Sequence, residues 1–139
     1  MNQNLNAYRI TQAYRGASTA VAPLTAVVML LDGAILYLKK AVEAREAKRF
    51  EESHGHLVRA TSILRGLSHH LNFEKGGPLA DRLYRTYSSI IMACLSSYGR
   101  PDAARRYGKL IASLTELRDA WRSVAANPAA KPPARTAAR

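Results

Sequence analysis

At 139 residues and 15.3 kDa the chain has room for one hydrophobic core and not for two. A hydrophobic share of 47% against 22% charged residues excludes a chain that is disordered over its main length. The formal charge of +11, from 21 Lys and Arg against 10 Asp and Glu, raises nucleic acid and anionic membrane as partners, but no recognised nucleic-acid motif accompanies it and most cations spread through predicted helices.

Residues 1–22 carry the apolar anchors Leu5, Tyr8, Ile10, Tyr14 and Val21 without a long helical stripe, so they are expected to form a mobile cover segment. Residues 1–19 are largely polar and Pro23 flanks the apolar run that follows, which does not match a secretory signal. That run, Leu24 to Leu38, is 15 residues long and contains Asp32, short of the ~20 residues a membrane span requires. The single cysteine, Cys94, cannot form an internal disulfide and points to a reducing cytoplasm.

Proline is tolerated in the first turn of a helix, where its missing N–H has no partner to lose, so Pro23, Pro78 and Pro101 mark helix starts. The first helix is predicted over 24–48, with Val27, Leu31, Ala34, Leu38 and Val42 on one stripe. A second covers 50–73 through Leu57, Thr61, Leu64, Ser68 and Leu71, and stops before Gly76-Gly77. The third, 78–98, runs through Leu79, Leu83, Tyr87, Ile90 and Cys94 to Gly99. Asp102 opens a fourth at 102–126, where Ala103, Tyr107, Leu110, Leu114, Leu117, Trp121 and Val124 alternate steps of four and three. Short connections between such helices imply an all-α fold, an antiparallel four-helix bundle over 23–127, followed by a flexible basic tail at 128–139. Interior Gly33, Gly55, Gly66 and Gly108 each cost about 1 kcal/mol against alanine, and each either weakens the helical pattern locally or marks a close helix contact.

The first helix has more apolar surface than one stripe uses, because Leu24, Val28, Leu30, Ile35, Leu36 and Tyr37 lie off it. Either this helix is central and buried on several sides, or part of the face is a groove for a partner helix that residues 1–22 cover when it is empty.

Nothing in the sequence assembles a catalytic set. His54 and His56 project about 200° apart on a helix and cannot grip one ion together. Glu52 and His56 have the spacing of a surface pair, and one cysteine supplies no zinc pattern. Cys94 sits on an apolar stripe and reads as a buried, inert thiol. Gly76-Gly77-Pro78 lacks the lysine and Ser/Thr of a phosphate loop and reads as a turn. No metal and no cofactor are expected.

Pro23, then Val28-Met29-Leu30-Leu31-Asp32-Gly33-Ala34, Glu74-Lys75-Gly76-Gly77 and Asp119-Ala120-Trp121 together resemble the flagellar secretion chaperone FliS family. Asn6-Ala7-Tyr8 is similar to that family's N-terminal tyrosine motif, and the resemblance spans about residues 6 to 122. It departs from the family at Ala22, where serine is usual, at Leu31, where an aromatic is common, and at Thr86-Tyr87-Ser88-Ser89 on the third helix. The resemblance implies a cytoplasmic four-helix bundle chaperone that binds the C-terminal helical segment of flagellin and prevents premature polymerisation. It further implies delivery of flagellin to the type III export gate component FlhA, with no enzymatic activity and no membrane insertion. Combined with the surplus apolar surface, it makes Tyr8, Ile10, Tyr14, Leu24, Val28, Leu31 and Ile35 the expected partner-binding residues. The alternative from another class is a basic helical nucleic-acid-binding protein, which steep salt dependence would reveal.

Overall fold

A computed structural model describes residue 13 and residues 23–126; Tyr8, Ile10, Tyr14 and the tail at 128–139 lie outside the described residues. Four helices follow one another: α1 (Pro23–Glu46), α2 (Phe50–His69), α3 (Phe73–Ser97) and α4 (Ala103–Ala125). The described residues form an all-α bundle without strands.

The helices are arranged as a ring in chain order. α1 packs against α2 and α4, α2 against α3, and α3 against α4, while the diagonal pairs make no close backbone approach. Connections of a few residues force sequential helices to run antiparallel. The first and last helices do so as well: Arg45, at the end of α1, donates from Nη2 to the Arg100 carbonyl just before α4 at 2.7 Å. Asp32, nearer the start of α1, meets Arg118 and Arg122 near the end of α4.

The stripes read from the sequence line the core. Leu31 and Leu38 of α1, Leu57 and Leu64 of α2, Tyr87 and Cys94 of α3, and Tyr107, Leu114 and Trp121 of α4 are all buried. α1 and α2 make the closest seam, because alanines at 34, 41, 44 and 60 leave little side chain between the backbones. An alanine Cβ at Gly33 would lie 3.3 Å from Ile63 Cδ1, whereas Gly55, Gly66 and Gly108 face open space. Only the first of those four glycines therefore marks a close contact. A buried hydrogen bond, Ser53 Oγ donating to the Ala41 carbonyl at 2.6 Å, ties the same seam.

α1 ends in a left-handed residue. Lys48 has φ 62, its N–H donates to the Arg45 carbonyl at 2.9 Å, and the Arg49 N–H donates to the Ala44 carbonyl at 2.8 Å. This satisfies orphan carbonyls at the helix end in the pattern where glycine usually stands.

The junction of α2 and α3 differs from the sequence expectation of a helix to 73, a stop before Gly76-Gly77 and a restart at Pro78. α2 ends at His69, and a new turn starts at Phe73, capped by Asn72, whose Oδ1 accepts from the Lys75 N–H at 2.9 Å. The helix then kinks at Gly77, whose φ 55 and ψ −136 are all but closed to side-chain-bearing residues. Pro78 begins the long straight part.

Two stability effects follow. Lys48→Gly removes the left-handed penalty on a lysine Cβ and raises the unfolding free energy by about 0.5 to 1 kcal/mol, read from the urea midpoint. Asp32→Asn loosens the α1–α4 seam and lowers it by about 0.5 to 1 kcal/mol, a difference that shrinks when the titration is repeated in high salt.

Candidate partner-binding surface

The four expected residues on α1 separate by burial. Leu31 is 0% exposed, Ile35 4% and Val28 8%, all within the main core cluster, and Leu24 is half-buried against it. Ala13 belongs to the same cluster. The open apolar residues of α1 are Met29, Leu30 and Leu36, which lie one step around the helix from the expected face. α1 is thus buried against two helices, and an apolar strip is left outside.

A larger open apolar surface lies between α2 and α3. A groove of about 320 Å³ is lined by Arg65, Ser68 and His69 from α2 and by Tyr84, Ser88, Ile91, Met92 and Leu95 from α3. Met92 is 64% exposed, Tyr84 47% and Leu95 43%. Their spacing places them on one face of α3, adjacent to the core stripe of Leu83, Tyr87, Ile90 and Cys94. Exposed aromatic rings bracket the groove: Phe73 meets Tyr84 edge-on with centroids 5.8 Å apart, and Tyr98 lies 4.9 Å from His54. On the floor, the buried Ser68 hydroxyl finds no hydrogen-bond partner among the described residues. An apolar strip edged by Arg65 and His69 is the anatomy of a surface that takes a helix or an extended peptide. The thioether of Met92 adds adaptability to the shape of what binds.

The N-terminal segment is held at one described point. The Asn72 N–H donates to the Ala13 carbonyl at 2.6 Å, beside the kink of α3. An alanine Cβ at Gly76 would fall 2.9 Å from Ala13 Cα and 2.8 Å from Ala80 Cβ, so only glycine leaves room there. The Lys-Gly-Gly turn therefore combines two roles: Gly76 seats Ala13, and Gly77 turns the backbone.

The remaining chemistry-bearing residues are structural. Cys94 is fully buried, and burial pushes its thiol up to about 11, far from a reactive thiolate at neutral pH. Burial, followed by the neighbouring Cys94, raises the Tyr107 hydroxyl to about 12. Glu52 and His56 approach to 3.6 Å at the surface, and among the described residues no group of three His, Cys, Asp or Glu could hold a metal ion. No described helix is long and apolar enough to cross a membrane.

The described residues define an all-helical bundle with an apolar groove open between α2 and α3 and Ala13 packed beside Gly76. The chain belongs to the FliS family: the family model described as Flagellar protein FliS matches residues 2–128. No match was found among curated proteins.

Gly76→Ala tests the seat. Overpacking against Ala13 speeds hydrogen exchange at the Asn72 amide about tenfold, while amides around Leu114 in the α4 core keep their protection. An unchanged Asn72 rate would show that the seat does not depend on the missing Cβ.

Proposed function

We propose that the chain is a cytoplasmic flagellar export chaperone that binds the C-terminal helical segment of flagellin, prevents its premature polymerisation and presents it to the export gate component FlhA. Family membership supports the chaperone role. The observation that carries the binding mode is the α2–α3 groove, with Tyr84, Met92 and Leu95 open to solvent along it.

In this reading an amphipathic flagellin helix lays its apolar face along α3. Covering about 1,000 Å² of apolar surface supplies roughly 25 kcal/mol gross, of which ordering the partner and lost freedom consume most. Submicromolar affinity survives that subtraction. A polar group of the partner that reaches the unpaired Ser68 hydroxyl would gain a hydrogen bond there.

Val28, Leu31 and Ile35 enter the same mechanism as a second stage. They are buried in the core cluster to which Ala13 also belongs, and in this reading displacement of the N-terminal segment precedes their contact with a partner. Tyr8, Ile10 and Tyr14 are proposed as the anchors of that cover, and Leu24 as its edge. An aspartate at Val28 or Ile35 would place an unpaired charge in the core and report unfolding instead of binding.

Titration calorimetry with the C-terminal segment of flagellin is expected to show a one-to-one complex with a negative heat-capacity change and an affinity that alters little between about 50 and 200 mM salt. Met92→Asp weakens it about tenfold or more and leaves the melting temperature in place, because this side chain stands mostly in water. Absence of binding, or a steep loss of affinity with salt, sinks the proposal.

A further inference from the structure

The seam between α3 and α4 is the loosest of the four helix contacts. A cleft of about 290 Å³ opens along it, floored by Ala93, Ser97 and Leu110 and walled by Arg105, Arg106 and Lys109. It lies on the side of α3 opposite the apolar groove, and none of its lining residues is shared with that groove.

The three cations are undercompensated. Arg105 and Arg106 converge on a single carboxylate, that of Asp102, at 2.8 and 3.1 Å. Lys109 has no ion-pair partner among the described residues. In the α3–α4 connection, Arg100 Nε donates to the Ser96 carbonyl at 3.1 Å, again without a carboxylate. The cleft therefore carries a surplus of positive charge over a floor of small and apolar side chains.

Residues 1–22 and 127–139 contain no Asp or Glu that could neutralise this surplus. A second copy is opposed at long range by a net charge of +11 on each molecule. A nucleic-acid backbone fits poorly: the charge is confined to one short cleft, no aromatic ring lines it for base stacking, and Asp102 stands among the arginines. Two or three side chains of an extended peptide fill the volume.

We propose that the α3–α4 cleft is a docking site for an acidic segment of a partner polypeptide, with one carboxylate taken between Arg105 and Lys109 and the adjacent chain lying on Ala93, Ser97 and Leu110. Planar guanidinium forks suit carboxylates, and the small side chains of Ala93 and Ser97 let a backbone approach. The site is separate from flagellin binding in the apolar groove and stands whether or not that reading holds.

The probe is a hexaglutamate peptide titrated into the isotope-labelled full chain and followed by amide NMR, with a short oligothymidylate as the comparison. Shifts are expected to centre on Ala93, Ser97 and Leu110 and to weaken steeply between about 50 and 200 mM salt. The double substitution Arg105→Ser with Lys109→Ser lowers affinity about tenfold, while Lys39→Ser with Lys40→Ser leaves it unchanged. If the first double variant loses its helical spectrum, Lys109→Ser alone is expected to weaken binding, and the wild-type shift map stands by itself. Shifts scattered over all basic surfaces, an undiminished affinity in a folded cleft variant, or tighter oligothymidylate binding at the same three amides overturns the proposal.

Discussion

Burial of α1 between α2 and α4 is the constraint on which the remaining arrangement depends. Its apolar residues cover more than one stripe, so a stable fold must place helices against two of its sides, and the ring order of the bundle does this. Alanines draw α1 and α2 together, and the Asp32 carboxylate fastens α1 to Arg118 and Arg122 of α4. α3 is then the helix farthest from α1, held by α2 on one side and loosely by α4 on the other. Charged side chains help keep that last seam open, because closing it would strip water from Arg105, Arg106 and Lys109 with only one carboxylate to compensate them. The apolar groove and the cationic cleft flank this one helix.

Helical periodicity made the bundle legible. Leu57, Thr61, Leu64, Ser68 and Leu71 are all buried where their spacing places them, and so are Tyr107, Leu114 and Trp121. The same pattern was silent on how many neighbours cover each apolar face. On α1 the off-stripe residues Val28 and Ile35 are buried in the core cluster, while Met29, Leu30 and Leu36, also off the stripe, stay open. α3 has no such cover over Tyr84, Met92 and Leu95, although those residues stand just off its stripe in the sequence. Their spacing was the available signal for the groove, and it is indistinguishable from a second core face until the helix order around the ring is known.

The Gly76-Gly77 turn illustrates a different limit. Glycine in a sequence signals either a backbone angle or a close approach, and local pattern does not separate the two. Gly77 is the first case, with its positive φ, and Gly76 the second, with Ala13 against it. The close approach depends on a residue about sixty positions away, which no window on the sequence contains. One backbone hydrogen bond, from the Asn72 N–H to the Ala13 carbonyl, joins Ala13 to the entrance of α3. That bond lies outside the four helices' own backbone pairing, while Ala13 itself is buried in the core cluster.

The two sides of α3 offer forces with different reach. Apolar burial in the α2–α3 groove acts only on contact, is nearly indifferent to salt and governs how long a partner stays. The cationic α3–α4 cleft acts over roughly a Debye length, about 8 Å in physiological salt, and governs how fast an acidic segment arrives and in which orientation. A partner that engages one side leaves the other free, because the helix itself separates them and no lining residue is common to both. Simultaneous occupation therefore requires no rearrangement of the core, and any coupling between the sites has to pass through α3. Tyr87 and Cys94 anchor that helix rigidly in the core, which makes independent binding the physical expectation and leaves the salt concentration to set the balance between the two.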